Sequence, residues 1–302
     1  MKSKLTFIHA LSPLHAGTGQ GVGVIDLPIA REKATNIPYL PGSSVKGSLR
    51  DEFNEEEDIR NKIFGPESKD ITDNNGYAGA IQFTDQTLLC LPVRSLAGTF
   101  AYVTSPYILK RLKRDANLSE DKCNLSSISD DKCRITADSA LKLTDTKLCL
   151  EDLDLEFEAN EAVWAAWLKD KIFADTTWRD LFVERFCIVS DNVFGFLLNT
   201  ATEVTARIKI QNDTKTTEKG ALWYEESLPT ESILFGLALA FPNKETKKSD
   251  GNVFTPKEIF DAIEAKLDKP LQFGGNATVG RGICQVRLAE IVENVASASG
   301  GN

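Results

Sequence analysis

Leu5-Thr6-Phe7-Ile8-His9-Ala10-Leu11 stands near the start of the chain and Ile283-Cys284-Gln285-Val286-Arg287-Leu288 near its end. In the first, Leu5, Phe7, His9 and Leu11 alternate with Thr6, Ile8 and Ala10. Apolar residues on both faces predict a strand covered on both sides. The second reads as a last strand. Each adjoins a glycine loop: Gly17, Gly19, Gly21 and Gly23 follow the first, and Gly274-Gly275-Asn276-Ala277-Thr278-Val279-Gly280-Arg281-Gly282 precedes the last. Strands and helices between them interleave without the regular strand-helix repeat of a doubly wound sheet. The pattern predicts an α+β, ferredoxin-like sandwich with long insertions.

Working inward, Leu40-Pro41-Gly42 breaks the chain, and Ser43 or Ser44 is expected to cap a helix through about Phe53, with Lys46 and Arg50 one turn apart on one face. Gly79 to Leu91 reads as a strand. Thr104 to Ala116 reads as a helix carrying Lys110, Arg111, Lys113 and Arg114. Asn117 to Asp138 is polar and weakly periodic, expected to be an insertion outside the core. Val163, Trp164, Trp167, Leu168 and Ile172 recur at helical spacing, a packing face rather than a stacking platform for bases. Glu203 to Ile210 alternates as a strand, and Gln211 to Gly220 reads as a hairpin tip or long loop. Thr255-Pro256-Lys257-Glu258 combines an N-cap, a proline at the first helical position and a capping-box glutamate, predicting a helix through Leu267. The tail from Ala296 is expected to fray.

Composition narrows the function classes. The 302 residues carry 35 Lys+Arg against 44 Asp+Glu, a net charge of -9, and mean hydropathy is -0.21. That is a soluble globular composition, and the longest apolar run, Ile233 to Pro242, is about half of the ~20 residues a membrane span needs. We read Leu5 to Leu11 as a strand of a cytoplasmic protein, not a signal peptide, because His9, Ser12, Pro13 and His15 interrupt it. Cys90, Cys123, Cys133, Cys149, Cys187 and Cys284 form no C-x-x-C pair, so reduced structural thiols are expected. An acidic chain can bind RNA only through local basic patches.

The loop Gly275 to Gly282 mimics a phosphate-binding Walker loop but lacks its Lys and Ser/Thr, and a strand follows where a helix would be required. Two readings of it stay open: backbone N–H groups with Arg281 seating a polyanion, or a tight turn needing positive φ. His9 reads as a satisfied core residue. His15, on the first glycine loop, is expected to face ligands. Asp26 is an isolated carboxylate between Ile25 and Leu27, a turn-former or a reacting group. No paired carboxylates, serine elbow or Cys–His arrangement accompanies them.

Leu14-His15-Ala16-Gly17-Thr18-Gly19, Ile25-Asp26-Leu27-Pro28-Ile29 and Ile37-Pro38-Tyr39-Leu40-Pro41-Gly42-Ser43-Ser44-Val45-Lys46-Gly47-Ser48-Leu49-Arg50 resemble RAMP proteins. Arg94-Ser95, Gly98-Thr99-Phe100-Ala101-Tyr102-Val103-Thr104 and Gly220-Ala221-Leu222-Trp223-Tyr224-Glu225-Glu226, with the Gly274 to Gly282 loop, resemble one branch. That branch is the repeating backbone subunit of type III-B (Cmr) CRISPR effector complexes. The likeness runs through essentially the whole chain.

The resemblance implies one RAMP domain over residues 1–302 with a ferredoxin-like (RRM-like) core, an insertion lobe near residues 105–185 and a projecting thumb hairpin near 200–222. It implies a subunit that polymerises with copies of itself and other Cmr subunits along a guide RNA, in a prokaryotic cytoplasm, with no membrane. The guide supplies sequence specificity and the protein reads backbone and shape. Ser43, Ser44, Lys46, Arg50, Gly280, Arg281 and Gly282 are the implied RNA contacts. Cleavage of complementary target RNA at regular intervals is implied, with Asp26 as the residue it depends on and His15, Tyr224, Glu225 and Glu226 in support. A divalent metal, Mg2+, is the implied cofactor. The alternatives are a non-catalytic RNA-binding scaffold, and a stand-alone processing endonuclease that works without metal or partners.

Overall fold

The computed structural model describes residues 1–19, 25–66, 77–119, 126–158, 160–210, 213, 217–242 and 253–291. Gly21, Gly23, Cys123, half of the expected hairpin tip and the tail from Ala296 lie outside them, and Thr217 to Gly220 of that tip belong to a strand.

The first strand, β1 (Lys2–Ala10), runs where the alternation places it, and Leu5, Phe7, Ile8 and Ala10 are all buried. Next come β2 (Tyr39–Leu40), α1 (Gly42–Asp51), α2 (Glu57–Phe64), β3 (Ile81–Phe83), β4 (Gln86–Arg94), β5 (Phe100–Thr104) and α3 (Pro106–Asp115). The middle of the chain supplies β6 (Lys132–Ile135), β7 (Lys147–Leu150), β8 (Leu153–Glu158), α4 (Val163–Ile172), α5 (Thr176–Arg185), β9 (Phe186–Val189) and α6 (Asp191–Thr200). It closes with β10 (Glu203–Ile210), β11 (Thr217–Ser227), β12 (Ile233–Ala240), α7 (Pro256–Glu264), β13 (Leu271–Gln272) and β14 (Ile283–Glu290).

The fold is α+β. Twelve of the described strands share one mixed sheet, in the order β13-β14-β1-β12-β4-β5-β9-β6-β8-β7, with β2 beside β4 and β3 beside β12. Third from one end, β1 lies antiparallel between β12 and β14, with Phe7 opposite Phe235 and Arg287. β10 and β11 form a separate antiparallel pair. Among the described residues no helix is long and apolar enough to cross a membrane.

Several local expectations are met by identifiable contacts. In α7 the Thr255 hydroxyl accepts from Glu258 N while the Glu258 carboxylate accepts from Thr255 N, a complete capping box. The helix stops at Glu264, and Leu267 just beyond it is still buried. Along α4, Trp164, Leu168 and Ile172 are buried, as the spacing requires. Cys90, Cys133, Cys187 and Cys284 are free and buried, and burial pushes the Cys284 thiol up to about 12.

Four expectations need correction. Neither Ser43 nor Ser44 caps α1: the helix begins at Gly42, Pro41 makes no side-chain cap, and the Asp85 carboxylate reaches across to accept from Gly42 N at 2.9 Å. Both serines therefore lie inside the first turn, and the helix ends at Asp51, short of Phe53. Gly79 to Leu91 is two strands, because the chain turns at Thr84 and Asp85 between β3 and β4. Asn117 to Asp138 is not wholly outside the core: Cys133 and Ile135 on β6 are fully buried in the main sheet. Four residues of Lys-Cys-Arg-Ile alternation inside a polar stretch are too short for composition to reveal. Finally, His15 is buried, at 8% exposure, not open to solvent.

Candidate functional site

The β10–β11 pair organises the region. Period-two alternation sends neighbouring side chains to opposite faces, so Glu225 and Glu226 diverge. Glu225 shares a face with Arg207, Trp223 and Glu203; Glu226 shares the other with Tyr224 and Val204.

On the first face the buried Glu225 carboxylate accepts from Trp223 Nε1 (2.9 Å), Arg207 Nε (3.1 Å) and Asn276 Nδ2 (3.0 Å). Burial alone would raise its pKa. The hydrogen bonds from Trp223 and Arg207, with the charges of Arg207 and His15, overcome this and hold it below the usual carboxylate range. Asn276, at φ 63°, belongs to the glycine loop before β14, so that loop is docked against the pair. Arg281 from the same loop reaches Glu203 and Thr205, each at 3.5 Å, and Ser227 Oγ at 3.3 Å. Its guanidinium thus faces the base of β10–β11.

On the second face Glu226 accepts from Arg31 Nη2 (2.6 Å), Thr202 Oγ1 (2.9 Å) and the backbone N–H of Ile29 (3.1 Å). These bonds fasten the loop after β1 to β11. Leu27 completes the attachment, donating to Tyr224 O at 3.0 Å and accepting from Glu226 N at 3.0 Å. Asp26, exposed, accepts from the backbone N–H of Tyr224 through Oδ2 at 2.7 Å. Tyr224 is 40% exposed, and Val204, Ile208 and Leu222 on the same face are half-exposed. The result is an open apolar stripe beside one accessible carboxylate.

His15 Nδ1 donates to the carbonyl of Glu226 at 2.6 Å. A carbonyl only accepts, so this bond places the neutral ring's proton on Nδ1 and leaves the Nε2 lone pair available. The ring is enclosed by glycines: a Cβ on Gly17 would stand 2.5 Å from Nε2, and one on Gly275 would stand 3.2 Å from Cδ2. Gly274, at φ +71°, leaves room for the His15 carbonyl, which a Cβ would approach to 2.3 Å. His15 forms one wall of an open groove of about 550 Å³, whose other walls include Leu27, Ser44, Gly47, Ser48 and Asp51.

The remaining residues singled out in the sequence are dispersed. Ser43 is exposed on α1 and Ser44 lines the groove. Arg50 donates to the Gly65 carbonyl and to Asn61 Oδ1, closing the end of α2 instead of pointing outward. Half-buried Lys46 has no ion pair among the described residues; burial and the Arg50 charge press its pKa down. Gly280 and Gly282 both adopt positive φ, at 76° and 75°. The structure thus draws Asp26, His15, Tyr224, Glu225 and Glu226 around one strand. It also adds residues the sequence reading missed: Arg31, Asn276, Gly47 and Ser48. For Arg31 the available signal is a cation directly after the apolar run Leu27 to Ala30.

A model of the RAMP superfamily matches residues 7–285. The chain belongs to the RAMP superfamily. Within it, this RAMP protein is 36% identical to the CRISPR system Cmr endoribonuclease Cmr4 of Pyrococcus furiosus, over 97% of this chain and 98% of that one. The crystal structure of oligomeric Cmr4 from the same organism superposes with a TM-score of 0.73 at 29% identity, covering 97% of this RAMP chain and 100% of the other. A chain of the type III-B Cmr-beta complex in its apo state superposes with a TM-score of 0.70 at 25% identity, covering 95% and 97%.

Proposed function

We propose that this chain is the repeating backbone subunit of a type III-B CRISPR ribonucleoprotein complex, binding guide RNA along a filament and cutting complementary target RNA at regular intervals. The name of the P. furiosus relative, a Cmr endoribonuclease, supports this assignment over nearly the full length. Self-association is supported by the oligomeric crystal form of that relative. The order β14-β1-β12-β4, with α1 between β1 and β4 and α7 between β12 and β14, supports reading these elements as the ferredoxin-like core of one RAMP domain. We read β10–β11 as the thumb hairpin, its apolar stripe and Tyr224 offering a surface against which bases stack.

One observation carries the catalytic reading: Asp26 is the exposed carboxylate of the cluster, fixed on Tyr224 N, whereas Glu225 and Glu226 are buried and engaged. Glu226 acts by holding the Asp26 loop, Glu225 by holding the glycine loop. The 2'-hydroxyl of the target gives up its proton and attacks the adjacent phosphorus. The 5'-oxygen leaves with a proton, and a 2',3'-cyclic phosphate remains. Asp26 is placed to accept the first proton; His15, with Nδ1 held on the Glu226 carbonyl, would orient the phosphate or give a proton to the leaving oxygen only in its imidazolium form, where Nε2 also carries a proton. Much of the rate would come from holding the ribose in line.

The donor set fits a divalent cation in one manner. Mg2+ keeps several waters and binds through one or two carboxylates together with substrate phosphates. Asp26 offers one such carboxylate, so as an alternative to acting as the base it would hold the ion jointly with target RNA. When bound, the ion supplies charge stabilisation at the phosphate oxygens. Guide phosphates would meet Ser43, Ser44 and Lys46 along α1, while Arg50 and Arg281 order the surrounding loops. An acidic chain is compatible with this, since affinity follows the phosphates neutralised locally.

The test is reconstitution with partner subunits, guide RNA and end-labelled complementary RNA, comparing wild type with Asp26→Ala, with and without Mg2+. Magnesium-dependent, evenly spaced cuts that vanish in the variant while binding persists support the proposal. Binding without cutting by wild type moves the chain to the scaffold class, and chelator-resistant cutting by the isolated chain makes it a processing enzyme.

A further inference from the structure

The basic stretch of α3 takes no part in the site at Asp26, yet its exposed residues line up. Tyr107, Lys110 and Arg114 stand at i, i+3 and i+7 on one helix face, and all three are exposed. Tyr107 is 42% exposed but held in place. Its backbone N–H donates to Asp191 Oδ1 at 2.8 Å, and the Arg111 guanidinium lies over its ring, 5.9 Å from the centroid. Arg111 is itself fixed by the Glu32 carboxylate, at 2.8 Å and 2.9 Å, and by Thr87 Oγ1 at 3.2 Å. A ring ordered before any partner arrives loses little entropy when something stacks on it. Beside it an open cleft of about 290 Å³ runs between α3, α6 and the loop before β2, with Ile37, Phe194 and Leu198 as apolar walls. That is the lower limit for a ligand pocket, room for one base.

The cleft continues the face that carries Asp26. Glu226, on the same side of β11 as Tyr224, holds Arg31, and Arg31 Nη2 also donates to the carbonyl of Leu198, a wall of the cleft. It does not continue α1. Lys4 binds Glu264 of α7, and Lys266 and Lys269 just beyond α7 pair with Glu56 and Glu52 at the end of α1, so α1 and α7 cover the Lys4 face of the main sheet. Phe7 points to the other face, and the register aligns Phe7 with Phe235 and Phe235 with Thr87, the residue that Arg111 binds. Helix α3 therefore lies across the sheet from α1.

We propose that this face of α3 binds single-stranded target RNA, with one base stacked on Tyr107 in the cleft and the flanking phosphates on Lys110 and Arg114. The inference rests on reading the chain as an RNA-binding Cmr backbone subunit, and it gives the target a second contact outside the cutting site. The target is the strand assigned because the cleft adjoins the Asp26 face, whereas the guide contacts sit on α1 across the sheet. Stacking on an aromatic ring is tolerant of sequence, as a complex programmed by its guide requires. A protein surface would also meet the cations, but the pre-ordered ring and the one-base cleft beside it are features that a nucleotide uses.

The test is photo-crosslinking in the complex reconstituted with partner subunits, guide and complementary RNA, with a single 4-thiouridine moved through the target in one set and through the guide in another. The chain carries Asp26→Ala, so the target stays intact and no outcome depends on cutting. The expected result is a crosslink from the target to the peptide bearing Tyr107, reduced at least fivefold by adding Tyr107→Ala. Lys110→Ala and Arg114→Ala should weaken target binding and lower its salt slope by about 1 for each cation removed. The mapping with Tyr107 in place decides the matter even if the further variants misfold. Crosslinks there from the guide alone, none from either RNA, or an undiminished yield in folded Tyr107→Ala would overturn the proposal. Loss of assembly in Tyr107→Ala, with no crosslink at Tyr107 in its presence, would overturn it in favour of a neighbouring copy of the chain. If no complex assembles, the backbone-subunit reading fails separately, and the chain alone with a 4-thiouridine-labelled oligouridylate decides: crosslinking at Tyr107 upholds the RNA site and its absence overturns it.

Discussion

Asp26 Oδ2 stands 2.7 Å from the backbone N of Tyr224, so a carboxylate near the start of the chain is held by a strand 198 residues later. An asparagine at this position can still accept that bond but carries no charge. We expect Asp26→Asn to retain complex assembly and RNA binding while losing ~10²-fold or more in cutting, within the range of a general acid or base. Asp26→Ala should lose cutting as completely. Gel-based cleavage beside a binding measurement separates the two effects, and near-normal cutting by Asp26→Asn would remove the carboxylate from the chemistry.

The Arg31–Glu226 pair is 2.6 Å apart with both side chains largely buried. Removing one partner strands the other charge, at a cost of about 3–5 kcal/mol. Arg31→Met should therefore lower the urea midpoint markedly, and adding Glu226→Gln should recover part of the loss. If the double variant is less stable than Arg31→Met alone by the full cost of Glu226→Gln, the two residues do not act as a pair.

Glu225 has a folded-state pKa below its unfolded value of about 4.3. The unfolded chain then binds more protons in the acid range, so stability from this group is complete above that value and is lost as pH falls through the folded pKa. Stability measured in urea between about pH 6 and pH 3 should fall less steeply in Glu225→Gln than in wild type. Parallel profiles would show that the carboxylate has no linked effect.

Gly280 and Gly282 have nearly the same positive φ, yet a Cβ at Gly280 meets nothing within 4 Å, whereas one at Gly282 would stand 1.9 Å from the Phe273 carbonyl. Alanine at either carries the left-handed cost of about 1–2 kcal/mol. Only Gly282→Ala also forces the backbone apart. Thermal denaturation should show a clearly larger loss for Gly282→Ala, and equal losses would mean the loop can shift freely.

Much of this was readable in residues. The β1 alternation, the α7 capping box and the aromatic spacing of α4 are local signals, and each produced its element because neighbours along the chain decide it. The family motifs around Asp26 and Tyr224 were also contiguous words of sequence. What the words did not contain was direction. Once β11 is known to be a strand, Glu225 and Glu226 must face opposite ways, but their partners Asn276 and Arg31 come from opposite ends of the chain.

The sequence by itself determined the elements with strong local signals, β1, α4 and α7 among them, and the family they serve, because propensity, capping and alternation act over a few residues. Only the tertiary structure decided that His15 is buried with its proton on Nδ1, that Arg50 and Arg281 serve neighbouring loops, and that Asp85 caps α1. Those outcomes depend on hydrogen bonds between residues far apart in the chain, which exist only after the sheet has brought its loops together.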